Sequence, residues 1–204
     1  VVVFDLGGVV VRICRTWEEA CAAAGVPHRP DAAARLAGDA AHRVVDEHQC
    51  GRIPCEQFYE RMARLMDGAY SPDEVRAIHH AWTREDYPGI ADVVDTLHVA
   101  GVDTACLSNT NASHWEILRT SPALARIRHR HASHILGLAK PDPAIYRAFE
   151  EETGFAPREI LFFDDLEEHV TAARARGWRA HQVDHRGDTA GQVLAALRGA
   201  GVPV

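Results

Sequence analysis

The chain has 204 residues, 47% of them hydrophobic and 25% charged, with a formal charge of -7. This is ordinary globular composition for one compact core, or a core plus a small inserted lobe, and it excludes a wholly disordered or low-complexity protein. The acidic balance argues against a nucleic-acid binder, which needs a basic face, and no apolar run approaches the ~20 residues that span a bilayer.

Val1–Phe4 is too short for the apolar stretch of a signal peptide, and acidic Asp5 follows at once. Five cysteines without a framework spacing suggest reduced thiols, so a cytoplasmic location is expected. The 22 basic residues are 21 arginines and one lysine, Lys140. A lone ammonium in an arginine-rich chain stands out, because its compact, rotatable charge has no guanidinium equivalent.

In chain order, Val1–Phe4 is a buried parallel strand that ends at Asp5, and Leu6-Gly7-Gly8 is a turn. Val9–Ile13 suggests a small hairpin flap. From Thr16 to Arg84 the pattern is helical, with capping boxes at Thr16/Glu19 and Ser71/Glu74 and a long helix from Asp31 to Gly51. No strand is expected there, so the stretch is predicted to be an inserted helical lobe. After Pro88-Gly89, strands and helices alternate. Strands are expected at Val102–Leu107, Ser133–Leu136, Ile160–Phe163 and Arg179–Val183, which implies βαβ units and a parallel sheet.

Polar groups directly follow three of these strands: Asp5, Ser108-Asn109 and Asp164-Asp165. Such residues also cap helices and begin turns. Their repetition at strand carboxyl ends, where open parallel sheets bind ligands, points instead to a site. The chemistry suits phosphoryl transfer. A carboxylate can attack phosphorus, further carboxylates can hold Mg²⁺, and a hydroxyl, an amide and Lys140 can neutralise phosphoryl oxygens.

Asp5-Leu-Gly-Gly-Val9, Ser108-Asn-Thr, Lys140-Pro and Phe163-Asp-Asp165 together resemble the four motifs of the haloacid dehalogenase-like hydrolase superfamily. The first motif is similar to that of its sugar-1-phosphate phosphatase and epoxide hydrolase N-terminal-like branch. The resemblance implies an α/β fold with a Rossmann-like parallel sheet of order 5-4-1-2-3, helices on both faces and an α-helical cap. Residues 1–13 and 86–204 would form the core and 14–85 the cap. It also implies that Asp5 is the nucleophile, that Ser108, Asn109 and Lys140 bind phosphate, and that Asp5, the Gly7 carbonyl, Asp164 and Asp165 surround Mg²⁺. The substrate would be a small phosphorylated metabolite.

The chain departs from that pattern at Gly7, where relatives carry a second Asp as general acid, and at Leu166. General acid catalysis contributes ~10²–10⁴-fold, so the first departure favours leaving groups that need little protonation. Two alternatives follow from it. One is a 2-haloacid dehalogenase, whose halide leaves unprotonated. The other is a catalytically weak binding or regulatory protein on the same fold. Trp17, Phe58, Tyr59 and Trp82 are expected to pack between cap helices. His129, His131 and His134 are expected in a solvated basic loop.

Overall fold

The computed structural model describes residues 1–204. Strand β1 (Val2–Phe4) is followed by the turn Asp5–Val10 and by β2 (Val11–Ile13). Helices α1 (Trp17–Ala24), α2 (Pro30–Ala33), α3 (Asp39–Gln49), α4 (Cys55–Leu65) and α5 (Pro72–His80) come next. They end at β3 (Thr83–Asp86) and α6 (Ile90–Val99).

The rest alternates. It contains β4 (Thr104–Ser108), α7 (Ala112–Leu118), α8 (Pro122–Arg126), β5 (His129–Ala132), α9 (Ser133–Leu136) and α10 (Pro143–Thr153). It closes with β6 (Leu161–Asp164), α11 (Glu167–Ala175), β7 (Arg179–Gln182) and α12 (Thr189–Gly199).

Five strands form a parallel sheet in the order β5-β4-β1-β6-β7. Counted along the chain, these five core strands lie 5-4-1-2-3, as the motifs imply. β1 is central, and its Phe4 is level with Cys106 on one side and Phe163 on the other. Alternation along the strands builds two cores. Val2, Phe4, Cys106, Leu161 and Phe163 face α6, α8 and α12. Val3, Ala105, Leu107 and Phe162 face α10, α11 and Trp178. Burial on both sides explains why these strands are almost continuously apolar.

The helical insertion has a third core of its own, centred on Tyr59, Met66, Tyr70 and Ile78. The Ser71/Glu74 capping box starts α5 as expected. At α1, the Thr16 hydroxyl accepts from the Glu19 N–H, while the Glu19 carboxylate reaches back to the Arg15 N–H.

The structure corrects four expectations. Val9–Ile13 makes no local hairpin; β2 pairs antiparallel with the distant β3. That strand lies partly within the stretch where none was expected, and it straddles the boundary at 85/86. Its sequence, Thr-Arg-Glu-Asp, is polar because Arg84 and Glu85, on its two faces, are both exposed. The Asp31–Gly51 helix is broken into α2, a 3₁₀ turn at Ala34–Ala37 and α3, with Gly38 at the N-terminus of α3. Finally, the third core strand is His129–Ala132, and Ser133–Leu136 is helical. Its polar sequence marks β5 as an edge strand, so of the histidines expected in a loop His129 and His131 belong to the sheet and His134 to α9.

The insertion meets the core where Gly51 turns at φ +66° beneath the His134 carbonyl; a Cβ there would run into that oxygen. Ser133 Oγ also donates to the Gln49 carbonyl at 2.6 Å. Gly51→Ala is therefore expected to destabilise the fold by about 1–3 kcal/mol, from the left-handed backbone plus the close approach. Urea unfolding checks this; an unchanged midpoint would refute it.

Candidate active site

Asp5 leaves the carboxyl end of β1, and its N–H donates to the Phe163 carbonyl at 2.7 Å, extending the ladder by one residue. Its side chain is thereby placed between the ends of β4 and β6. Those ends supply Ser108 and Asp164, and the following positions supply Asn109 and Asp165. Strand order alone thus gathers Asp5, Ser108 and Asp164, which are far apart in sequence.

Lys140 lies between two carboxylates. Its Nζ is 2.9 Å from Asp5 Oδ1 and 2.6 Å from Asp164 Oδ2, and its side chain is 0% exposed. The Phe162 ring lies beneath the ammonium, 5.2 Å from its centroid. Burial pulls the ammonium down, but Asp164 and Asp5 outweigh it and hold its pKa above the ordinary lysine value. The backbone of Lys140 is clamped by Asn109, whose Oδ1 accepts from the Lys140 N–H and whose Nδ2 donates to the Lys140 carbonyl, both at 2.8 Å. One Nδ2 hydrogen of Asn109 is left over.

The two acids of β6 have different surroundings. Asp164 is fully buried and accepts from Lys140, from His169 Nδ1 at 3.0 Å and from the Leu166 N–H at 2.9 Å. Burial would raise its pKa, yet Lys140 and His169 bring it down to about 2. Asp165 instead lines the cavity, and its Oδ2 lies 2.7 Å from Arg15 Nη1. Asp5 is pushed up to about 6 by burial; Lys140 opposes the shift, and Asp164 and Asp165 add to it.

Oxygen ligands of Asp5, Asp164 and Asp165 can all lie within 4.8 Å of one another. Three buried carboxylates that close repel unless cations sit among them. The turn before β2 adds a further oxygen. Its backbone bonds run from Val9, Val10 and Val11 to the Leu6 carbonyl and from Gly8 to the Val11 carbonyl, and the Gly7 carbonyl takes part in none. Hard oxygen donors of this kind suit Mg²⁺.

The cavity over these groups holds about 480 Å³. All the expected residues except Asp164 line it: Asp5, Gly7, Ser108, Asn109, Lys140 and Asp165. The sequence reading missed Arg15, His48, His79, His114 and His169, which line it too. Phe58 and Trp82, expected only to pack within the insertion, also face the cavity.

Three of the missed histidines, His48, His79 and His114, form the seam between insertion and core, whereas His169 sits on α11 against Asp164. The His79 ring of α5 stacks on His114 of α7 with centroids 3.9 Å apart, and His114 Nε2 is 2.6 Å from the His79 carbonyl. His48 of α3 stacks on Phe58 at 4.1 Å. Burial pulls His48 and His114 down to about 4 and His79 well below its ordinary value, so all three are neutral imidazoles at pH 7. Only tertiary packing brings them together; their sequence spacing carries no signal.

Known proteins agree with this architecture. The profile of the haloacid dehalogenase-like hydrolase family matches residues 1–177. A protein named phosphatase MT3486 from Mycobacterium tuberculosis is 27% identical over 210 aligned residues, covering 98% of this chain and 94% of that protein. The HAD family enzyme bt-2542 from Bacteroides thetaiotaomicron, solved with magnesium and inorganic phosphate, superposes with a TM-score of 0.75 at 22% identity, covering 92% of this chain and 95% of that one. L-2-haloacid dehalogenase from Xanthobacter autotrophicus superposes with a TM-score of 0.65 at 19% identity, covering 100% of this chain and 84% of that one. At such low identities the two structures speak for the fold, whereas the profile spans most of the sequence: the chain belongs to the haloacid dehalogenase-like hydrolase family.

Proposed function

We propose that this chain is a Mg²⁺-dependent phosphatase of small phosphorylated metabolites, working through an aspartyl-phosphate on Asp5. The observation that carries the reading is the trio of buried carboxylates with converging oxygens, which a dehalogenase has no use for. The relative named as a phosphatase supports it as well.

Asp5 supplies the attacking oxygen, and Lys140, 2.9 Å from it, keeps the carboxylate oriented and faces the incoming phosphoryl group. The Ser108 hydroxyl and the spare Asn109 N–H complete the phosphoryl cradle. Asp165, Asp5 and the Gly7 carbonyl are the groups that would hold Mg²⁺, which when bound supplies charge neutralisation for the phosphoryl oxygens. Asp164, with its oxygens already engaged, acts mainly by anchoring Lys140. The segment between β2 and β3 serves as the cap, presenting Phe58, Trp82, His48 and His79 to the leaving group, with His114 of the core beside them.

No side chain at Gly7 can protonate the departing oxygen, and the seam imidazoles of His48, His79 and His114, all pulled below the ordinary histidine value by burial, hold almost no proton at pH 7. The leaving group therefore departs on its own acidity. Rates should fall steeply from aryl and acyl phosphates to simple alkyl phosphates; a flat series with chemistry rate-limiting would overturn this. A Cβ at Gly7 would meet only the Ile13 side chain, 3.2 Å away, and the backbone there is not left-handed. Gly7→Asp should accordingly fold, and paired with Ile13→Ala it should speed alkyl phosphates selectively.

Asp5→Asn should cost at least ~10³-fold in turnover of an aryl phosphate, because the amide cannot attack phosphorus. Chelation should abolish wild-type turnover, and Mg²⁺ should restore it. Chelator-independent turnover of a 2-haloacid would favour the dehalogenase reading. An inert protein that still binds phosphate would favour the regulatory one.

The same substitution has a stability signature. The folded pKa of Asp5, about 6, lies above its ordinary 3.8. The protonated form therefore contributes stability that is fully present below about pH 4 and lost as pH rises through about 6. Asp5→Asn removes the ionisation penalty. With chelator at pH 7.5 the variant should melt higher than wild type, by an amount on the order of 1–3 kcal/mol, and the gap should close near pH 4. Calorimetry across this range checks the sign.

A further inference from the structure

Arg15 is the one arginine that lines the cavity, and the proposed reaction gives it no task. It lies between β2 and α1, on the connection into the helical insertion. Its backbone N–H is fixed by Glu19 Oε2 at 2.7 Å, and its side chain turns back into the site. Nη1 meets Asp165 Oδ2 at 2.7 Å, while Nη2 is buried without a hydrogen-bond partner. Gly8, at φ +86°, makes the approach possible, since a Cβ there would run into both Arg15 Nη2 and Asp165 Oδ2. The guanidinium thus reaches the carboxylate group itself and not merely its rim.

The charges near that group are three negative (Asp5, Asp164, Asp165) and two positive (Lys140, Arg15), a net of about -1 in formal terms. A divalent cation arriving alone would make the cluster positive and press against Arg15 across a shared carboxylate. A divalent cation arriving with a phosphoryl dianion would leave the balance unchanged. The dianion would also offer the orphaned Nη2 an acceptor.

We propose that Arg15 is a positioning residue that competes with Mg²⁺ for Asp165, so that metal and phosphoryl group load together. This rests on the phosphatase reading above. By linkage, the factor by which phosphate tightens Mg²⁺ equals the factor by which Mg²⁺ tightens phosphate. Arg15 raises that factor by penalising metal alone. It also ties loading to the connection that carries the insertion.

The test is titration calorimetry of Mg²⁺ into the full chain, with and without saturating inorganic phosphate, for wild type, Arg15→Gln and Arg15→Lys. Circular dichroism verifies that each variant is folded. In wild type, phosphate should tighten Mg²⁺ at least ~10-fold. Arg15→Gln should bind Mg²⁺ alone about 10-fold tighter than wild type and lose most of the coupling, whereas Arg15→Lys, which keeps the charge, should retain part of it. Arg15→Gln binding Mg²⁺ equally or more weakly, or showing undiminished coupling, would overturn the proposal. If that happened while wild type still hydrolysed an aryl phosphate with Mg²⁺, the phosphatase reading would stand alone. If neither wild type nor Arg15→Gln bound Mg²⁺ under either condition, both readings would fall.

Discussion

The site depends on one buried ammonium. Lys140, with no exposed side-chain area, touches both Asp5 and Asp164, and burying either carboxylate ionised without the ammonium beside it would be costly. Much of the local structure serves this contact. Asn109 fixes the lysine backbone, Phe162 forms its floor, and His169 and the Leu166 N–H use the remaining oxygen capacity of Asp164. The sheet order makes it possible, because β1 and β6 must be neighbours for Asp5 and Asp164 to share one cation.

Where burial controls the sequence, the fold could be read directly. β1, β4 and β6 are covered on both faces, so each is an apolar run that ends in polar chemistry, and the site residues follow by position alone. Lys140 was legible for a different reason: it is the only lysine. Legibility failed where strands are exposed. His129–Ala132 is largely polar because it is an edge, and Thr83–Asp86 is polar because its ribbon meets solvent, so neither carries an apolar signature.

Arg15 shows the limit for side chains. Nothing in Ile13-Cys-Arg-Thr16 separates it from twenty other arginines; its meaning comes from Asp165, 150 positions later. The histidine seam is similar. His48, His79 and His114 come from three helices; packing within the insertion brings the first two together, and docking on the core adds His114. Their neutrality is a result of the same docking, since burial is the largest influence on each. The cavity wall is thus aromatic and uncharged along this seam, in contrast to the ionic floor around Lys140.

The ribbon formed by β2 and β3 has a topological consequence. The chain enters the helical insertion at Ile13 and returns at Thr83, and these two residues are register partners. Antiparallel neighbours lie about 5 Å apart, so the five intervening helices are, as far as the sheet is concerned, an elaborate loop closed at its base. They also bury their own apolar core. Lineages could therefore lengthen, shorten or exchange this segment, altering which molecules reach Asp5, without re-solving the problem of folding the sheet.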